Sequence, residues 1–140
     1  MCFYAAIDTN VLVSALLKSQ SVPRRLLDCV ALGFLRPLFS HGMIEEYKEV
    51  LTRPKFAFSE DLVGLFISSI RELGELVEAP DSGVELPDKS DKPFYDVVAD
   101  KRKRSEAYLV TGNIRHFPRE YYIVIPREML DLIEEKYKAT

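Results

Sequence analysis

Two hydrophobic rhythms alternate along this chain. Short apolar runs bounded by polar residues, glycine or proline occur at Phe3–Ile7, Phe34–Phe39, Leu76–Glu78, Tyr108–Thr111 and Tyr122–Ile125. Runs of this kind read as buried strands of a parallel sheet. Between them apolar positions recur at helical spacing, which predicts helices over Asn10–Leu17, Pro23–Leu32, Met43–Leu51, Glu60–Leu73, Pro93–Arg104 and Pro126–Tyr137. Pro23 suits a first helical turn, Pro54 closes the third pattern, and Ser59 is a good N-cap for the fourth, which Gly74 ends. The inward faces expected are Ile44, Tyr47 and Leu51; Leu62, Leu65, Phe66, Ile70 and Leu73; Phe94, Val97 and Val98; and Met129, Leu130 and Ile133. Strands alternating with helices imply βαβ units, right-handed crossovers and an α/β fold with a parallel sheet. Pro80–Ser90 is the one long polar connection and reads as a loop feeding a site.

Length and charge narrow the picture. With 140 residues, a single domain over 1–140 can bury a full core without staples. No stretch is long and apolar enough to span a bilayer, and no basic leader precedes Phe3, so a cytoplasmic protein without membrane partners is expected. Cys2 and Cys29 fit free thiols. The net charge of −3 counts against broad, nonspecific nucleic-acid binding. Its distribution is uneven, however. Acids concentrate from Asp81 to Asp100, the block Lys101-Arg102-Lys103-Arg104 follows, and Arg24, Arg25, Arg115, His116 and Arg119 add positive positions. An acidic centre with basic flanks suits a metal-dependent enzyme acting on a polyanion; a set of solvated faces is the plain alternative.

The candidate chemistry sits at the predicted strand ends. Asp8 follows the first apolar run directly, where an acid either caps the next helix or serves a site. Glu46 lies among the inward residues of the third helix and points along the rim of the sheet, with Glu45 as its competitor. Asp91 precedes a helix start, where the dipole alone would stabilise it, with Asp96 as second choice. Thr111-Gly112-Asn113 follows another strand, either as a plain turn or as a source of a neutral oxygen and an amide donor. His116 is a candidate phosphate contact or an exposed loop residue. Converging on one crevice, Asp8, Glu46 and Asp91 would raise one another's pKa values unless a cation neutralised them. Oxygen ligands without a Cys/His cluster suit Mg²⁺ or Mn²⁺ and not zinc.

These stretches resemble the PIN-domain family, in its subgroup of toxin components of toxin–antitoxin systems. The resemblance is carried by Ile7-Asp8-Thr9-Asn10-Val11-Leu12-Val13-Ser14-Ala15-Leu16-Leu17, by residues 40–53 with Pro54-Lys55-Phe56, and by residues 88–99. It continues through Leu109-Val110-Thr111-Gly112-Asn113-Ile114-Arg115-His116-Phe117-Pro118 and Ile125-Pro126-Arg127-Glu128. It implies a three-layer α/β/α fold and a Mg²⁺- or Mn²⁺-dependent ribonuclease. On that basis Asp8, Glu46 and Asp91 match the metal-binding acids, and Thr9 and Asn10 support Asp8 and the metal waters. Asn113 stands where many relatives carry a fourth Asp.

The expected function is therefore endoribonuclease action on RNA. Asp8, Glu46 and Asp91 would bind one ion, Asn113 would help place the attacking water, and Thr111 would support the site. Arg115, His116, Lys101 and Arg102 would contact RNA phosphates. The expected partners are an antitoxin protein and a second copy in a homodimer. A weakly catalytic RNA-binding or scaffold module is the alternative, kept open by Asn113. A phosphatase with Asp8 as nucleophile fits less well, because Asn10 stands where a second acid would be needed.

Overall fold

A computed structural model describes residues 2–138. Its strands are β1 (Phe3–Ile7), β2 (Leu35–Phe39), β3 (Glu75–Leu76), β4 (Tyr108–Val110) and β5 (Ile123–Val124). The helices are α1 (Thr9–Leu17), α2 (Val22–Ala31), α3 (His41–Leu51), α4 (Glu60–Leu73), α5 (Lys92–Lys101) and α6 (Pro126–Tyr137). Short 3-10 turns occupy Pro54–Phe56, Lys89–Asp91 and Ile114–His116. Every strand pairing is parallel, in the order β3-β2-β1-β4-β5.

Caps account for the helix starts. Ser21, Ser40 and Ser59 each accept a hydrogen bond from a backbone N–H in the first turn of α2, α3 and α4. The end of α4 needs glycine for space: a Cβ at Gly74 would lie 2.4 Å from the Pro37 carbonyl oxygen and 2.6 Å from that of Ile70. That close approach lets α4 turn directly into β3 beside β2.

Layers form on both faces of the sheet. On one, α2 packs against α1 and α6; on the other, α3 packs against α4 and α5, and α5 lies along β1, β2 and β4. The three-layer α/β/α arrangement is thus present. Ala5, Ala6, Ile7, Leu38, Leu109 and Val110 fill the centre of the sheet between helix residues such as Leu12, Leu26, Ile44, Phe94 and Met129. One inward face differs from expectation. In α4 the buried stripe is Val63, Ile67 and Ile70, whereas Leu62, Leu65 and Leu73 are exposed. Two apolar stripes run along this helix at helical spacing, and the sheet takes the β-branched one.

Strand order places the site. The chain begins at the central β1, moves outward to β2 and β3, then crosses back to add β4 and β5 on the other side. The order reverses between β1 and β4, and at such a switch the loops leaving the two strands part and open a crevice beyond their carboxyl ends. Asp8 leaves β1 there, and Thr111-Gly112-Asn113 leaves β4. Among the described residues, no helix is long and apolar enough to cross a membrane.

Candidate active site

The crevice is a cleft of about 440 Å³ whose lining includes Asp8, Thr9, Asn10, Glu46, Asp88, Asp91, Asn113 and His116. It is built around Asp8, which is only 5% exposed. Asp8 caps α1 by accepting from the Thr9 N–H at 2.8 Å, so capping and a place in the cleft coincide. Its other oxygen accepts from the Thr111 hydroxyl at 2.7 Å and from the Asn10 side-chain amide at 3.3 Å. Asn10 in turn accepts the Gly112 N–H at 3.1 Å and so ties the two strand ends together. A Cβ at Gly112 would sit 3.2 Å from that Asn10 oxygen, which explains the glycine. From below, the fully buried Tyr47 donates its hydroxyl to the Ile7 carbonyl at 2.5 Å and joins α3 to the tip of β1.

The acids are short of positive partners. Burial pushes the Asp8 carboxyl above its ordinary range, against the pull of its hydrogen bonds to Thr111 and Thr9. Asp91, at the start of α5, is pushed up to about 6, first by burial and then by the charges of Asp8 and Asp88. Its single ionisable partner among the described residues is His116, whose Nδ1 lies 3.2 Å from Asp91 Oδ2. Glu46 is also raised, by burial first and then by Glu49, with Arg53 opposing and Asp88 and Asp8 adding to it. Neither Asp8 nor Glu46 forms an ion pair among the described residues. A buried hydroxyl adds to this: Thr9 Oγ1 has no hydrogen-bond partner among the described residues.

An all-oxygen donor set of raised acids around a wet cleft fits a hard divalent cation. Among the described residues, no three His, Cys, Asp or Glu side chains are gathered into a ready-made metal cage. The acids share the lining of the cleft without closing on one point. Asn113 belongs to the same lining, and its N–H donates to the Thr111 hydroxyl at 2.9 Å.

Other expected residues stand elsewhere. Lys101 is buried, 2.7 Å from Glu75, with its ammonium over the Tyr4 ring. Arg102 bonds Glu106 and the Ala107 carbonyl and lies over the Tyr122 ring. Neither lines the cleft: both charges are engaged within the fold, away from the acids. Asp96 pairs with Lys92 and borders a separate small pocket with Ser40 and Pro93. Arg115 is exposed beside the cleft's His116. Glu45 points to solvent, while Glu46 faces the cleft.

Among the lining residues not singled out as site residues from the sequence are Asp88, Arg53 and Phe56. Asp88 caps the 3-10 turn that leads to Asp91, by accepting the Ser90 N–H at 2.9 Å. The spacing of Glu46, Val50 and Arg53, i, i+4, i+7, was a signal for Arg53, although α3 ends at Leu51 and Arg53 reaches the lining from just beyond it. Phe56 belongs to the Pro54-Lys55-Phe56 segment that follows. A family model described as PIN domain matches residues 4–115, a span that holds Asp8, Glu46, Asp91 and Asn113. No curated protein and no solved structure matches the chain.

Proposed function

Because the chain belongs to the PIN-domain family, whose members are generally nucleases, we propose that it is a Mg²⁺- or Mn²⁺-dependent endoribonuclease and the toxin of a toxin–antitoxin pair. The observation that carries this reading is the cleft at the β1–β4 switch, where acids with raised pKa values gather with His116 as their one ion-pair partner among the described residues. Asp8, Glu46 and Asp91 would hold the ion. Its contribution when bound is to acidify water and to neutralise charge developing on the scissile phosphate.

The chain's own groups do the positioning. Thr111, Thr9 and Asn10 fix both oxygens of Asp8, so its orientation is set before any ligand arrives. Asn10 also holds the Gly112 backbone, and with it the approach of Asn113, which would orient the attacking water through its amide. Arg53, Arg115 and His116 would meet substrate phosphates around the acids, with binding that weakens as salt rises. An antitoxin would suppress cleavage by filling the acidic cleft.

The test is cleavage of unstructured and hairpin RNAs with Mg²⁺, Mn²⁺ or EDTA, comparing wild type with Asp8→Asn. Metal-dependent cutting that disappears in the variant supports the reading. A folded wild type that cuts nothing with either metal refutes it. Asn113, which leaves the site one carboxylate short, favours a second reading: an RNA-binding module with little catalysis. Its signature would be RNA binding that is indifferent to metal.

A further inference from the structure

The 3-10 turn Pro54–Phe56 and the two residues after it are unused by the nuclease chemistry. The rings of Phe56 and Phe58 stack with centroids 5.8 Å apart and planes 18° apart. Between them Ala57 takes a left-handed conformation, φ 56°, uncommon for a residue other than glycine. The half-buried Phe56 ring carries the Lys55 ammonium 5.1 Å from its centre, on a side that a charged group reaches from solvent. Phe56 also lines the acidic cleft, next in chain order to Val50 and Arg53 of the same lining. The other aromatic ring of that lining, Phe94, is fully buried and can receive nothing. Phe56 is therefore the partly exposed phenyl ring of that lining.

We propose that Phe56 is a stacking platform for one unpaired base of the RNA, with Arg53 on the neighbouring phosphate. This rests on the nuclease reading of the same cleft. Bases in a duplex are already stacked on one another, so a partly exposed ring beside the site meets a base only where the strand can splay it out. A cation over a partly exposed ring is held more weakly than a stacked base, so Lys55 gives way and can follow the phosphate chain. Arg53 pairs with Glu49 at 2.7 Å across a solvated helix surface, a bond that leaves it free to exchange partners.

The competing role is packing, since Phe56 and Phe58 also rest against the hydrophobic core. A cycle between ring and base separates the two. Asp8→Asn protein, which keeps RNA intact, is titrated with a labelled single strand and with versions bearing one abasic site at each position. The same titrations are run with Asp8→Asn/Phe56→Leu, which keeps apolar bulk without the ring. Expected is one position where base removal weakens binding by about 5- to 100-fold with Phe56 and by less than about 2-fold with leucine in its place. Equal losses in both proteins overturn the proposal, as does a folded Asp8→Asn protein that binds no single strand.

Should Phe56→Leu fail to fold, Phe56→Tyr and Phe56→Met take its place in the Asp8→Asn background. A position-specific abasic loss of at least about 5-fold that persists with tyrosine and falls below about 2-fold with methionine supports the platform, and equal losses in both overturn it. Wild-type cleavage with Mn²⁺ is scored separately, so loss of the nuclease reading is distinguishable from loss of the platform.

Discussion

Removing one charge from the cleft should make the metal-free protein more stable. Asp91 has its pKa raised from 3.8 to about 6, chiefly by burial and by the charges of Asp8 and Asp88. That difference corresponds to ~3 kcal/mol. Its sign follows from protonation. Below the unfolded value of 3.8, Asp91 is neutral whether folded or not and carries no penalty. As pH rises from there through about 6, the unfolded chain ionises more readily than the folded one, and stability falls by that amount. Asp91→Asn removes the penalty. It also removes a negative charge from the start of α5, where the helix dipole favours one by about 0.3–1 kcal/mol. The net gain at pH 7.5 in EDTA should be ~2 kcal/mol, or about 6 °C in Tm for a chain of this size. At pH 4 the two proteins should differ by less than about 0.5 kcal/mol. The assay is urea and thermal unfolding of both proteins across that pH range, repeated with saturating Mn²⁺, which should stabilise wild type more than the variant. A variant less stable than wild type at pH 7.5, or shifted equally at both pH values, would refute the electrostatic account.

Other residues give predictions of their own. Thr111→Val takes from Asp8 its 2.7 Å hydroxyl donor, so it should destabilise by ~1–3 kcal/mol near neutral pH. Because that bond lowers the Asp8 pKa, the loss should shrink as Asp8 protonates in acid, which unfolding at pH 4 and pH 7 will show. Gly74→Ala forces a Cβ to within 2.4 Å of the Pro37 carbonyl, and calorimetry should record a loss of ~1–3 kcal/mol or more. Asn113→Asp adds a carboxylate to the cleft; titration calorimetry should find tighter Mn²⁺ binding, while the protein in EDTA melts at a lower temperature. Arg115→Glu should weaken RNA binding and flatten its dependence on salt, with an unchanged slope in salt titrations counting against a phosphate contact.

The elements were legible in the chain because periodicity reports local geometry. Phe3–Ile7, Glu60–Leu73 and Pro126–Tyr137 match their expected bounds, and Asp8 was visible as an acid at a strand end. What stayed hidden depends on which side of an element a residue meets. The block from Lys101 to Arg104 divides because α5 ends at Lys101: Lys101 goes into the fold against Glu75 and Tyr4, while Lys103 and Arg104, in the turn beyond the helix, stay outside beside Asp100. A run of charge in sequence was not a patch in space. In α4 the choice between the Leu62–Leu65 stripe and the Val63–Ile67–Ile70 stripe was settled by what packs beneath, which periodicity does not encode.

The site itself is a product of strand order. Asp8 and Thr111 are 103 residues apart in sequence yet share a 2.7 Å hydrogen bond, because β1 pairs with β4 and not with β2 alone. Once that pairing is set, the remaining geometry follows: α3 delivers Glu46 over β1 through Tyr47, and α5 delivers Asp91 where it crosses toward β4. Past the end of α3, which carries Glu46 and Val50, the chain brings Arg53 and then Phe56 to the same lining. One stretch of chain thus presents in order Glu46, Arg53 and Phe56, the groups proposed for the ion, for phosphate and for a base. On that proposal, Phe56→Leu should alter which RNA is bound while leaving Glu46, at the far end of the stretch, in place.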